Sequence, residues 1–216
     1  MLNKEIAMSK GVLLVISGFS GAGKGTVVKR LLEKYDEYAL SVSMTTRKPR
    51  EGEKEGVSYF FVSYDKFEQT IAENGLLEYA LYCGNYYGTP RAYVESQLEA
   101  GKNVILEIEI QGATNIKRIF PESLLLFVTP PSAEILESRL RGRKTETDEV
   151  IAERLSRASE ESHGMDTYDY IVVNDDLEVC VDEVHSLVDA ARREPVRMKD
   201  FIEDMRSQLK VFSKGE

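Results

Sequence analysis

The chain has 216 residues, 42% hydrophobic and 30% charged, which excludes wholesale disorder and collagen-like structure and suits one sizeable globular core. Lys and Arg number 28 against 37 Asp and Glu, a net charge of −9, so no broad nucleic-acid or anionic-membrane face is expected, although a few local cations can still hold a small anion. The longest apolar runs, Val12–Ile16 and Leu124–Val128, fall far short of the about 20 residues of a membrane helix, and the opening MLNKEIAMSK lacks the apolar centre of a secretory leader, which points to the cytoplasm.

In chain order, GVLLVIS (11–17) predicts a buried strand, followed by a glycine-rich turn and a helix near Thr26–Tyr35. ALSVSM (39–44) predicts a short apolar strand. Tyr59–Ser63 and Leu76–Tyr82 read as polar, Tyr-rich strands with a helix over Lys66–Glu73 between them, and a further helix fits between Pro90 and Gly101. NVILEIEI (103–110) and LLLFVT (124–129) predict buried strands, each followed by a helix, and YIVVN (170–174) precedes another helical stretch. Continuous apolar strands alternating with helices predict an α/β core whose parallel sheet is covered on both faces. The middle, about 43–90, predicts a smaller and more antiparallel insertion. RGRKTETD (141–148) interrupts two helical stretches and fits a mobile lid. The pattern after Pro195 is helical (Phe201, Met205, Leu209), with no function to assign. Cys83 and Cys180 lack CxxC spacing, so neither a disulfide framework nor zinc is expected, and His163 and His185 read as ordinary residues.

Two segments carry chemistry. Gly18-Phe19-Ser20-Gly21-Ala22-Gly23-Lys24-Gly25-Thr26 fits G-x-x-x-x-G-K between a strand and a helix. Glycines there let backbone N–H groups converge on phosphate oxygens at a helix N-terminus, and Lys24 adds a mobile charge. Gly25 stands where a Mg²⁺-binding hydroxyl is usual, leaving Thr26 or phosphate-bound waters for that task. The second segment, Ser43 to Tyr59, places Arg47, Lys48 and Arg50 within four residues of an otherwise acidic chain. Paired arginines offer planar forks to a phosphate.

With these two segments, the chain resembles the guanylate kinases, and the likeness continues through Leu77–Ala80, Gly84–Thr89, Leu106–Gly112, Arg139–Arg143 and Val173–Asp176. It covers roughly residues 11–190. The resemblance implies an α/β P-loop fold with a parallel sheet flanked by helices (core 11–42, 91–138 and 168–216), a small mixed GMP-binding subdomain (43–90) and a lid (139–167). It implies the reaction ATP + GMP ⇌ ADP + GDP, with dGMP as a further acceptor, Mg²⁺ as cofactor, and no nucleic-acid or membrane partner; a homo-oligomer is left open. By resemblance, Gly18, Ser20, Gly21, Ala22, Gly23, Lys24, Gly25 and Thr26 hold ATP and Asn174 lies near its adenine. Arg47, Arg50, Tyr59 and Tyr87 hold the GMP phosphate, and Ser43, Glu78 and Thr89 face guanine. Glu107, with Thr26, is the candidate for Mg²⁺ through water, Glu109 for Arg47 or the acceptor nucleotide. Arg139, Arg143 and Arg154 close over the ATP phosphates, with Arg157 toward GMP; Lys24, Arg47, Arg139, Arg143 and Arg154 form the catalytic set. A non-catalytic domain of the same fold is disfavoured by the intact phosphate loop, and a GTPase by the absence of NKxD.

Overall fold

The computed structural model describes residues 10–50, 52–82, 84–142 and 147–212. Its strands are β1 (Leu13–Gly18), β2 (Tyr38–Leu40), β3 (Met44–Thr45), β4 (Phe60–Phe61), β5 (Leu76–Tyr82), β6 (Asn85–Pro90), β7 (Asn103–Glu107), β8 (Leu124–Thr129) and β9 (Tyr170–Val173). The helices are α1 (Lys24–Lys34), α2 (Tyr64–Ala72), α3 (Arg91–Glu99), α4 (Ile110–Ile119), α5 (Ala133–Gly142), α6 (Asp148–Ser162), α7 (Leu177–Ala191) and α8 (Lys199–Leu209). A five-stranded, wholly parallel sheet runs β2-β7-β1-β8-β9, and a four-stranded mixed sheet runs β4-β3-β6-β5.

The apolar strands explain the first sheet. Successive residues of a strand point to opposite faces, and in β1 both faces are covered. Leu14 and Ile16 pack with Val27 and Leu31 of α1 and with Val181, Val184 and Val188 of α7. Leu13 and Val15 pack with Val94 and Leu98 of α3 and Ala113 and Ile116 of α4. Burying a Leu or Ile side chain fully contributes about 1.5–3 kcal/mol, so β1 is the strand around which the core is organised. The chain leaves β1 for β2 on one side and later adds β8 on the other. The phosphate loop therefore sits at the carboxyl end of the central strand, where the strand order reverses, the usual ligand crevice of such sheets.

Four local readings are corrected. The predicted strand 39–44 divides between the two sheets: the Ser41 N–H still donates to Ile105 O at 2.9 Å, whereas Ser43 O already accepts from Phe60 N at 2.9 Å. Tyr59–Ser63 shortens to β4, because Ser63 instead caps α2, accepting from the Lys66 N–H at 3.2 Å. The strand predicted through Ile110 ends at Glu107, since Glu109 is the N-cap of α4 and accepts from Ala113 N at 3.0 Å. Glu107 and Glu109 therefore do not share a strand face. In β9, predicted as covered on both faces, only Val172 is buried, because β9 closes the sheet at its edge.

β6 is the strand the sequence pattern missed: NYYGTP carries turn residues, yet it pairs with both β3 and β5. Helix α8 has no buried residue, and Phe201, Met205 and Leu209 are exposed on it. Cys180 lies in the core, and burial, then Glu183, pushes its thiol up to about 11. Cys83 lies outside the described residues. Among the described residues no helix is long and apolar enough to cross a membrane.

Candidate active site

A cleft of ≈ 720 Å³ opens at the carboxyl ends of β1 and β7. It is lined by Gly18, Ser20 and Lys24 of the phosphate loop, by Glu107 and Glu109 at the end of β7 and the start of α4, by Arg154 and Arg157 of α6, and on the side of the smaller sheet by Tyr59, just before β4.

Three glycines of the phosphate loop, Gly18, Gly21 and Gly23, have positive φ, and the first and last show why no side chain fits. Gly18 has φ +148°, and a Cβ there would lie 2.0 Å from Val128 O of the neighbouring strand. Gly23 has φ +93° and is the N-cap of α1, its carbonyl accepting from the Thr26 and Val27 N–H groups. The Lys24 ammonium lies back along the loop and donates to Gly18 O at 2.7 Å and Phe19 O at 3.1 Å. Thr26 is exposed on the first turn of α1. A Cβ on Gly25 would sit 3.8 Å from both carboxylate oxygens of Glu107, so the missing side chain leaves that carboxylate beside the loop. Glu107 is open to the cleft, but the walls around it push its carboxyl above the usual carboxylate range, with Lys24 opposing.

On the far side, Arg47 is fixed from several directions. It donates to Glu53 Oε1 at 2.7 Å and to Lys48 O at 2.9 Å, and its guanidinium lies 5.3 Å from the centre of the Tyr59 ring. Tyr59 in turn meets Tyr87 edge to face, with centroids 6.0 Å apart. Thr45, fully buried, donates to Tyr86 O and accepts from the Arg47 N–H, setting the angle at which the segment leaves β3. The Glu53 carboxylate spans Arg47 and the Arg50 N–H (2.7 Å), and these two bonds hold it below the usual carboxylate range. Arg50 itself is exposed. Neither Glu53 nor Thr45 was singled out from sequence; the only signal was the spacing of Arg47, Arg50 and Glu53 at i, i+3 and i+6 in one turn.

Glu78 of β5 and Thr89 of β6 meet across that hairpin, Thr89 Oγ1 donating to Glu78 Oε1 at 2.7 Å. Thr89 is 1% exposed, so its hydroxyl orients the carboxylate. Burial pushes the Glu78 carboxyl above its usual range, with the Thr89 bond opposing. Ser43 lies half-buried just before β3.

The arginines of the predicted lid divide. Arg154 donates to Ser20 Oγ in the phosphate loop. Arg157 donates to Glu109 Oε2 at 2.6 Å and to Glu161 Oε1 at 3.0 Å, joining α6 to the N-terminus of α4. Arg139 instead lies behind the loop, donating to Ala22 O at 3.3 Å and Asn174 O at 2.8 Å. Asn174, expected near adenine, turns its side chain to Ala22 O at 2.8 Å. Arg143 lies outside the described residues.

A family model of guanylate kinase matches residues 10–191. The chain belongs to the guanylate kinase family. It is 51% identical over 180 residues to the guanylate kinase of Bacillus subtilis, covering 83% of this chain and 88% of that one. With the guanylate kinase of Clostridioides difficile it shares 48% identity over 195 residues, 90% of this chain and 95% of the other. The crystal structure of guanylate kinase from Anaplasma phagocytophilum, 33% identical, superposes with a TM-score of 0.69 and covers 90% of this chain and 95% of its own. Membership makes the chain a nucleoside monophosphate kinase with a P-loop fold, and the guanylate kinase match includes all of the cleft residues named above.

Proposed function

We propose that the chain transfers the γ-phosphoryl group of ATP to GMP, and to dGMP, by in-line displacement across the ≈ 720 Å³ cleft. The observation that carries this reading is that Lys24 of the phosphate loop, Arg154 of α6 and Tyr59, which packs against Arg47, line one cleft. Two anionic phosphates can be held there end to end, with cations along their length. The acceptor oxygen of GMP is already anionic at neutral pH, so no general base is needed. Rate then comes from positioning and from neutralising charge on the transferring group. Lys24 follows that group, Arg154 covers it, and Arg47 with Tyr59 and Tyr87 holds the GMP phosphate, Arg50 reaching it from the loop tip. Glu78, oriented by Thr89, accepts from the N1–H and N2–H₂ donors of guanine, while Ser43 lies on the same side. Arg157 and Glu109 close the GMP side.

The residues present fit Mg²⁺. The Glu107 carboxylate beside Gly25 and the exposed Thr26 hydroxyl are hard oxygen donors next to the phosphate loop, and Mg²⁺ is commonly held by one or two carboxylates together with water and substrate phosphates. Bound there, it would supply charge neutralisation on the ATP phosphates.

The test is a coupled assay of ADP formation with ATP, Mg²⁺ and each nucleoside monophosphate in turn. GMP and dGMP should be the good acceptors, IMP intermediate because it lacks the 2-amino donor, and AMP poor. A polar site whose groups are left unpaired discriminates by as much as ~10⁴–10⁵ in kcat/KM. Phosphorylation of AMP as fast as GMP overturns the reading.

A further inference from the structure

The phosphate loop is braced from its outer side. The Ala22 carbonyl points away from the cleft into a buried region, Ala22 being 0% exposed, and two side chains satisfy it: Asn174 Nδ2 at 2.8 Å and Arg139 Nη1 at 3.3 Å. Asn174 is itself 7% exposed and is fixed at both backbone groups. Its N–H donates to Thr129 O at the end of β8 (2.8 Å), and its carbonyl accepts from Arg139 Nη2 (2.8 Å). Helix α5 and the segment before α7 thus converge on one peptide group, and β8 holds that segment in place.

That peptide is the one between Ala22 and Gly23. A trans peptide is planar, with its C=O and N–H on opposite sides. Pinning the Ala22 oxygen outward therefore aims the Gly23 N–H inward, toward the anion-binding face of the loop. Gly23 is locked into this arrangement: at φ +93° a Cβ would lie 2.5 Å from Asn174 Nδ2, so the glycine and the asparagine are fitted to each other. The positive guanidinium on the same carbonyl also polarises the peptide, strengthening its N–H as a donor.

We propose that Asn174, together with Arg139, is a positioning residue for the phosphoryl donor that orients the Ala22–Gly23 peptide and acts on the triphosphate through the loop. This rests on the reading of Gly18–Thr26 as the loop that holds ATP.

The experiment compares wild type, Asn174→Ala and Arg139→Gln by calorimetric binding of ATP, of inorganic tripolyphosphate and of GMP, with KM for ATP and for GMP in parallel. Losing one hydrogen bond to the loop peptide should weaken ATP and tripolyphosphate equally, by about 10-fold, and leave GMP unchanged. The Gly23 amide resonance of the nucleotide-free protein should move in both variants. Arg139→Gln removes the longer of the two bonds from a half-buried helix position, so it carries the test if Asn174→Ala does not fold. A loss confined to ATP, with tripolyphosphate binding intact, makes Asn174 a base contact and overturns the proposal, as does unchanged binding of both. Failure of wild type to bind ATP at all overturns the reading beneath it, and is distinct from either result.

Discussion

Lys24 holds two loop carbonyls in this structure, and it lines the cleft instead of belonging to either hydrophobic layer. Lys24→Ala should therefore fold normally and lose kcat by about 10²–10³-fold, the cost of removing one group that stabilises transition-state charge; steady-state kinetics with a thermal melt as control checks this. Glu78 makes the opposite bargain with stability. Its carboxyl titrates above the usual range because burial disfavours the charge. Above that raised value the folded protein carries an ionised group it would rather protonate, so Glu78 costs stability at neutral pH, and the cost fades as pH falls through the window down to the ordinary carboxylate value. Glu78→Gln should accordingly raise the melting temperature at neutral pH, with the gain vanishing in acid, while GMP turnover drops and the margin over AMP narrows. In the wild type, KM for GMP should begin to climb on acidification at a higher pH than an ordinary carboxylate would produce. A Gln variant that melts like wild type and still prefers GMP fully would remove Glu78 from the role of base reader.

At the scale of elements, α6 is the piece that ties the phosphate loop to the N-terminus of α4, through Arg154 to Ser20 and Arg157 to Glu109. A bisubstrate analogue joining adenosine and guanosine through phosphates should slow amide exchange along Asp148–Ser162, because closing over both nucleotides adds contacts to this helix and excludes water. Exchange rates unchanged at saturation would show that α6 does not respond to substrate. The buried strands and their helices were legible from sequence, since LLLFVT has no solvent face on which to hide a polar residue, and the phosphate loop was legible because its glycines must stand at fixed spacing. The smaller sheet was not. Its strands β3 and β4 hold two residues each, too short to show a period, and β6 is held by pairing on both edges in spite of its composition. Glu53 escaped notice for a similar reason: its value lies in where the turn puts it, against Arg47, and spacing alone does not show a turn's direction.

For the molecule as a whole, two hydrophobic layers share one sheet, and β1 feeds both. A truncation there is felt on the side it faces. Leu14→Ala, in the layer beneath α1 and α7, should destabilise by ~2–5 kcal/mol, read from urea unfolding, and it should do so without changing the ratio of GMP to AMP turnover, since the residues proposed to read the base lie in or beside the smaller sheet. A change in that ratio would mean that packing beneath the phosphate loop reaches the base site.

The cations of the cleft are already matched with oxygens of the chain itself: Lys24 with two carbonyls, Arg47 with Glu53, Arg157 with Glu109. Nucleotide binding is thus an exchange of partners, in which Glu53 and Glu109 act as internal counterions to Arg47 and Arg157 while neutral carbonyls hold Lys24. Two consequences follow. The internal carboxylates should weaken the hold of Arg47 and Arg157 on free phosphate as well as on nucleotide. And the affinity for GMP should fall less steeply with added salt than the number of its phosphate contacts would suggest, because Glu53 leaves as the phosphate arrives. Glu53→Gln should restore the steeper dependence; equal slopes for the two proteins, measured from low to physiological ionic strength, would show that no such exchange takes place.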